Sequence, residues 1–471
     1  MKSNYLKTVI FILIFIIIEL AAVLYLHYST AGKSVQYLEK KTREVQIAYS
    51  AIISGYSSIS QTIFSEIINK PAVIDVFKKT AGADSLEKAI ARKELFDKLY
   101  PTFKNLHETN NINLHFQLPD CLSFLRFYDP DKFGDNLACS RLSIKKANTE
   151  KTPVQGYEIG SFYHGYRYIY PLFSDATHIG SVEIGISSQS IIAEMEKIFG
   201  QCFTIILNKR IIDKTVFPEE KLKFSVSNLD TVYLTDDNLL PTNGQMSLFD
   251  LSAREILKID SNLSQKFLKR IHPDKPFALP VTIQGKHLIV TFMPVLNYEG
   301  KQAAYLLGYM NDPTISDYHR DFVEKLLLVT ILLVLVFSLL YYISRSIRAI
   351  KNSRDQLQSV TDTMNEGLIM LDIRRRILHI NPAAEKILGQ YCHTVIGRDL
   401  TKLIYFRDEN GKVLEPESWP DFDIVNFGLV YKSKKGFYIL RNQVAIPIEL
   451  SASPRYMKAE KVGFLIVFRE I

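Results

Sequence analysis

Cysteine is scarce in this sequence, with four in 471 residues and neither a CxxC pair nor a CxxC…HxxxH spacing. A zinc module, an iron–sulfur protein and a disulfide-stapled scaffold are thereby excluded. Glycine (21) and proline (18) are also few, which excludes collagen-like and broadly disordered chains. No Walker A loop, H-box histidine with an ATP-binding lobe, GGDEF or EAL motif or long methylated hairpin occurs. Phosphoryl transfer and cyclisation therefore have no machinery here. No nucleophile, base and orienter stand at sensible spacing, so enzymatic activity and metal chemistry are not expected. Nor does any Lys/Arg cluster interleave with aromatics along one face, so nucleic-acid binding is not expected either.

What the sequence has is two long apolar runs. Thr8 to Tyr28 is 21 residues with one formal charge, Glu19, and Leu326 to Ile343 is 18 residues with none. A bilayer core of roughly 30 Å needs about 20 helical residues, so each run reads as a membrane span. The first run is too long for the apolar part of a cleaved signal peptide, about 7–15 residues. Lys2 and Lys7 precede the first span, and Arg345, Arg348, Lys351 and Arg354 follow the second. That bias puts both termini in the cytoplasm and the intervening segment outside, although Lys33, Lys40, Lys41 and Arg43 dissent. Residues 345–471 hold 20 basic and 15 acidic side chains, a surplus suited to anionic membrane lipid on the cytoplasmic side. Glu19 in mid-span is costly unless protonated or paired. Its expected partner is Thr330 or Ser338 of the second span, or its own copy across a dimer.

Between the spans, Leu38, Thr42, Val45, Tyr49, Ile52, Tyr56, Ile59 and Ile63 alternate at 4-3 spacing, which predicts a long stalk helix. Its seam faces either a second protomer or the domain that follows. Strand patterns come next at 112–118, 122–128, 165–173 and 179–187, and a weaker second set at 203–209, 280–296 and 303–310. Pro171 to Gly185 and Pro294 to Gly308 are both 14 residues, a spacing that suggests an internal repeat offset by 123.

The order of span, long helix, two sheet lobes and span resembles the double Cache family of extracellular sensors. LHFQLPDCLSFLRFYDPDKFGDNL (114–137), PVQGYEIG (153–160) and YRYIYPLFSDATHIGSVEIG (166–185) carry the resemblance. It implies two stacked PAS-like lobes and a small ligand, with an anion among the candidates, bound in the membrane-distal one. The candidates there are His115, Arg126, Arg141, Glu158, Arg167, Tyr168 and Glu183. A guanidinium in a partly apolar site would hold a carboxylate or phosphate by two parallel hydrogen bonds. Equally, Arg126 could pair with Glu158 or Glu183 as scaffold. The amino-acid-binding subgroup of the family carries an aromatic pattern that includes Trp. Here the single Trp is Trp419, in the cytoplasmic part, so an amino-acid ligand is not supported. Cys121 and Cys139 lie where disulfides are permitted, and two free, buried thiols are the favoured reading. Cys121 occupies a turn position where related sequences commonly have Gly.

After the second span, Ile343, Ile347, Ile350, Arg354, Leu357, Thr361 and Met364 repeat the 4-3 spacing, as in a short signalling coiled coil. Residues 360–471 resemble a PAS domain, through VTDTMNEGLIMLDIRRRILHINPAAEKILG (360–389), VIGRDLTKLI (395–404), IPIELSASP (446–454) and VGFLIVFREI (462–471). The resemblance implies a five-stranded antiparallel sheet. No cofactor is expected: the helix after Asn381 has no reactive thiol for a flavin photosensor, and His379 and His393 read as ordinary polar residues rather than haem ligands.

The fold class is thus α+β, a two-span membrane protein with two Cache lobes outside and one PAS domain inside. The expected boundaries are a cytoplasmic N-terminus (1–7), span 1 (8–28), stalk (29–68), distal lobe (69–200), proximal lobe (201–322), span 2 (326–343), linker (344–359) and PAS domain (360–471). The function they suggest is a homodimeric bacterial inner-membrane sensor, the input module of, or partner to, a histidine kinase or cyclase. The alternative is a constitutive membrane scaffold that recruits partners through its PAS domain.

Overall fold

No proline occurs before Pro71, so nothing breaks the first helix once it starts. In the computed structural model α1 (Lys2–Ile63) joins the first apolar run and the stalk in one piece and ends in a π-helical turn at Phe64–Ile68. The structure describes residues 2–471 apart from 161–162, 217, 242–250, 272–274, 408–409, 411, 420–429 and 442–443. Two compact units divide at Ile331 and Leu332.

In the first unit, α1 leads to α2 (Pro71–Lys78) and α3 (Ser85–Asn110), the latter begun by an Asp84/Glu87 capping box. There follow β1 (Ile112–Gln117), β2 (Ser123–Arg126), α4 (Leu142–Glu150), β3 (Val154–Ile159), β4 (His164–Ser174) and β5 (Thr177–Ser187). The strands form an antiparallel sheet in the order β2-β1-β5-β4-β3. A second lobe contains α5 (Ser188–Phe199), β6 (Cys202–Asn208), α6 (Lys209–Thr215), β7 (Phe224–Val226), β8 (Tyr233–Asp236), α7 (Ala253–Arg270), β9 (Phe277–Ile283), β10 (Lys286–Leu296) and β11 (Gln302–Asn311). Its order, β7-β8-β6-β11-β10-β9, again puts the first strand beside the last.

The repeat is therefore one of topology, and the proline spacing is not its signature. Gly185 pairs with Arg167, four residues before Pro171, whereas Gly308 pairs with Thr291, three before Pro294. Because side chains alternate along a strand, the two prolines lie on opposite faces relative to their glycines.

The stalk seam faces its own lobes: Val45, Tyr49, Tyr56 and Ile63 are buried in the same core as Leu114, Phe116, Ile184 and Leu306. Tyr168 Oη donates to the Ile53 carbonyl of α1 at 3.1 Å. The next helix, α8 (Thr314–Thr363), begins three residues after β11. Both α1 and α8 are long and apolar enough to cross a membrane. Side chains join them at several places, among them the ring contacts His27–Phe322 and Tyr37–Tyr318. Tyr37 Oη donates to Asp312 Oδ2 at 2.6 Å, just ahead of α8, and Thr330 Oγ1 donates to Glu19 Oε1 within the apolar runs. The carboxylate of the first apolar run thus has one of the partners expected of it.

In the second unit, α8 continues unbroken, with Ile347, Ile350 and Leu357 exposed along it. The sheet that follows contains β12 (Gly367–Asp372), β13 (Ile377–Ile380), β14 (Phe406–Arg407), β15 (Tyr431–Arg441), β16 (Val444–Met457) and β17 (Glu460–Glu470), with helices α9 (Pro382–Leu388) and α10 (Cys392–Val395) after β13. Its order is β13-β12-β17-β16-β15-β14; the two-residue β14 makes six strands where five were expected. Asn381 ties this domain together. Its Oδ1 accepts from Leu368 N (2.7 Å) and Ala384 N (2.9 Å), and its Nδ2 donates to the carbonyls of Thr361 and Glu366. Loss of a helix cap and three further hydrogen bonds should cost about 2–4 kcal/mol in Asn381→Ala. Trp419, buried against Phe406, is the single tryptophan and reports that unfolding by fluorescence. An unshifted fluorescence melt would contradict the assignment.

Candidate functional site

Alternation divides the first sheet into two faces. Ile112, Leu114, Phe116, Val182, Ile184 and Ile186 join the core shared with α1, α2 and α3. Asn113, His115, Gln117, Ser181, Glu183 and Gly185 take the opposite face, which α4 and the 118–141 connection cover. These polar residues are buried nonetheless. Buried polar groups without partners are costly, so where their hydrogen bonds go decides what the face can do.

Three guanidinium groups and three carboxylates meet there. Arg126 grips Asp135 with two bonds, 2.8 Å from Nη1 and 2.7 Å from Nη2, and donates to the Lys132 carbonyl. Arg141 Nε donates to Glu158 Oε2 at 2.8 Å and its Nη2 to Glu183 Oε2. Burial alone would discharge Arg141, but Glu183 and Glu158 outweigh it and hold the proton more firmly than usual. Arg167 Nη1 lies 3.2 Å from Glu183 Oε1 as an ion pair without hydrogen-bond alignment, and its Nη2 donates to the Tyr163 carbonyl. The Arg167 guanidinium stacks 3.6 Å above the Tyr163 ring. Gly185 permits this, since a Cβ there would lie 2.2 Å from Tyr163 Oη and 2.7 Å from Arg167 Nη1.

Among the described residues, Arg167 Nε, Tyr163 Oη and His115 Nδ1 are buried without a hydrogen bond. His115 Nε2 lies 2.9 Å from Ser123 Oγ. Burial and the charges of Arg126, Arg141 and Arg167 keep its pKa well below the ordinary range, so the ring is neutral and one nitrogen is a donor. Burial likewise raises the phenols of Tyr128 and Tyr163, which keep their protons. The face therefore carries free donors at Arg167 and Tyr163 and free acceptors at Glu183 Oε1, Asn113 Oδ1 and Asn148 Oδ1 beside a charge-balanced ring, an arrangement suited to a small polar ligand whose anionic end meets the guanidinium groups.

Six of the seven expected residues are on this face: His115, Arg126, Arg141, Glu158, Arg167 and Glu183. Tyr168 is not, because it lies one residue from Arg167 on the same strand and points to α1. Arg126 pairs with Asp135, not with Glu158 or Glu183. Asp135, Tyr128 and Tyr163 went unrecognised in the sequence. Tyr128 was accessible as the i+2 neighbour of Arg126, whereas Asp135 and Tyr163 lie in loops that no periodicity locates. Cys121 and Cys139 are both free, Cys121 buried and Cys139 exposed. Cys121 has φ +67°, the left-handed conformation that favours glycine at that turn.

The second lobe closes against this one at β3. Tyr157 bridges to Asn297, and Tyr298 packs on the small cluster formed by Cys121, Leu137, Ile144, Ala147, Val154 and Ile169. At Gly156 a Cβ would lie 2.5 Å from the Tyr298 backbone. Lower down, His164 Nε2 lies 2.9 Å from Asp236 Oδ2 and its Nδ1 2.7 Å from Ser188 Oγ.

Comparison with known proteins agrees with this architecture. Residues 76–308 match a family described as the double sensory domain of two-component sensor kinases, and residues 355–471 match the PAS fold. No curated protein matches the chain. Among solved structures, the extracellular domain of the putative histidine kinase vpHK1S-Z8 is 12% identical, covering 64% of this chain and 97% of its own, with a TM-score of 0.33. The sensory domain of the Campylobacter jejuni chemoreceptor Tlp3 with isoleucine bound is 11% identical over 61% of this chain and 98% of its own (TM-score 0.30). The PAS domain of nitrogen regulation protein NR(II) from Vibrio parahaemolyticus is 18% identical over 24% of this chain and 96% of its own (TM-score 0.21).

Proposed function

Because this chain is a double Cache sensory domain followed by a PAS domain, we propose that it is a two-pass membrane sensor that binds a small anionic ligand on the buried polar face of its first lobe. The observation that carries this reading is the pair of free buried donors, Arg167 Nε and Tyr163 Oη, beside Arg141, Arg126 and the neutral ring of His115. A ligand carboxylate or phosphate supplies the acceptors those donors lack. Its charge competes with Glu183 and Glu158 for the guanidinium groups, so occupancy repositions α4, whose first turn follows Arg141, and β3, which carries Glu158. Movement at β3 falls on Tyr298, and so on β10, β11 and α8.

Both termini are cytoplasmic in this reading, and the lobes face outward. The exposed stripe Ile347, Ile350 and Leu357 pairs with that of a second copy, and the PAS dimer acts on a histidine kinase or cyclase transmitter. A ligand shifts such an equilibrium only through its differential affinity for the two states.

Thermal unfolding of the full chain in lipid nanodiscs, scanned with small carboxylates, inorganic phosphate and amino acids, tests the site. An anion is expected to stabilise the protein, and Arg167→Ala to weaken its binding about 10–100-fold through the lost charge-assisted contacts. Inter-protomer crosslinking through Leu357→Cys, in a Cys139→Ser background, should change with that anion. A bound anion that leaves crosslinking unchanged would instead favour the constitutive scaffold.

A further inference from the structure

Helix α7 carries one acid in its apolar stripe. Ile256, Ile259, Leu263 and Phe267 are buried along it, and Asp260 sits among them at 2% exposure. Its Oδ1 accepts a 2.8 Å hydrogen bond from Tyr309 Oη on β11. The layer it faces is built of Ile206 on β6, Leu279 on β9, Val290 and Phe292 on β10 and Leu307 on β11. The titratable members of that layer are Tyr305 and Tyr309 on β11, Tyr233 on β8 and Cys202 on β6, and among the described residues no buried Lys, Arg or His lies in it. Burial raises Tyr309, Tyr233 and Cys202, so those three stay neutral when Asp260 titrates. A carboxylate there has no counter-charge, unlike every acid on the polar face of the first lobe.

We infer that Asp260 and Tyr309 form a proton-responsive site in the second lobe, through which the acidity of the extracytoplasmic compartment is an input separate from the ligand. Its position suits that role. Tyr309 is two residues from the end of β11, and the next residue after the strand, Asp312, is clasped by Tyr37 at the root of α8. Ionisation brings an unpaired charge into the seam between α7 and β11, and the strand that must yield is the one leading into the second apolar helix.

Burial pushes the Asp260 carboxyl up to about 7, with the Tyr309 hydrogen bond pulling the other way. An unfolded Asp titrates near pH 4. Between those values the folded lobe binds more protons than the unfolded chain, so stability is highest in acid and falls as pH rises towards 7.

The test uses the full chain in lipid nanodiscs, without ligand, from pH 5 to pH 8. Its melting temperature, followed by far-UV circular dichroism, should drop by about 5–10 °C over that range. Crosslinking through Leu357→Cys should change over the same interval. Asp260→Asn, which mimics the protonated acid, should raise the melting temperature at pH 8 and flatten both profiles. Tyr309→Phe, lacking the hydrogen bond that favours the carboxylate, should move the midpoint to higher pH. Crosslinking that ignores pH in the wild type, or pH profiles that survive Asp260→Asn, overturns the inference. The site rests on the proposed coupling of lobe to helix but not on the anion site. A pH response without any anion response would sink the ligand reading alone.

Discussion

Glutamine in place of Glu183 is expected to destabilise the first lobe by about 3–5 kcal/mol, the usual cost of removing one partner from a buried ion pair. Glu183 is fully buried and serves two cations at once, Arg141 through Oε2 and Arg167 through Oε1. The substitution preserves shape and removes only the charge. Arg141 keeps Glu158, but Arg167 is left over a tyrosine ring with no carboxylate, in a place water cannot reach. Urea unfolding of the full chain, followed by far-UV circular dichroism, reads the loss. Unchanged stability would mean that the guanidinium groups are not held as the geometry indicates. The variant also carries one uncompensated positive charge, so millimolar phosphate or acetate should raise its melting temperature more than that of the wild type.

Alanine at position 156 should be nearly as damaging to signalling, for a different reason. The new Cβ would meet Tyr298 Cα and N, both at 2.5 Å, and these are backbone atoms with no rotamer to escape into. The turn from Asn297 to Lys301 is itself held rigid, with Asn297 Oδ1 accepting from Glu299 N and Lys301 N at 2.9 Å each. The turn must therefore retreat from β3 as a body. Overpacking of this kind costs about 1–3 kcal/mol. The larger consequence is for coupling, because Tyr298 is where the first lobe meets the hairpin that feeds α8. Anion binding should survive in Gly156→Ala while the crosslinking response at position 357 is lost. A variant that binds and still responds would place the coupling elsewhere, with the His164–Asp236 contact the next place to look.

The stalk, both apolar helices and the long central strands were legible because period 3.5 and period 2 are written in the apolar residues themselves, whereas β3, β7, β8, β14 and β15 went unplaced and β9 and β10 were read as one run. Asn381-Pro382 likewise announced a helix start, and the side chain caps it as that pair requires. Site residues on strands were legible for the same reason: His115, Glu183 and Arg167 are charged or polar where alternation demands a buried neighbour. Tyr168 misled because it is polar too, and only the register of β4 tells its face from that of Arg167. The 122–128 segment was read as strand throughout, yet β2 ends at Arg126, where the chain turns to bring Asp135 back. That closure depends on a loop, and loops leave no period. Asp260 was invisible for a related reason, since an acid on an amphipathic helix ordinarily reads as its wet side.

Two of the hydrogen bonds that tie α1 to α8 and to the residue just ahead of it constrain how the second helix can move. Glu19 and Tyr37 are 18 residues apart on one continuous helix, about 27 Å at 1.5 Å per residue, and each holds its own point on or beside α8. Sliding α8 along its axis by even a fraction of a turn would break both at once, whereas rotation about the line joining them strains neither. The pair works as a door hung on two hinges, which swings but does not slip. From Thr330 the helix runs on to Thr363, about 50 Å. Since both points lie on or beside α8, that line runs along the helix, and the turn it permits leaves the end in place but changes the direction in which Ile347, Ile350 and Leu357 face.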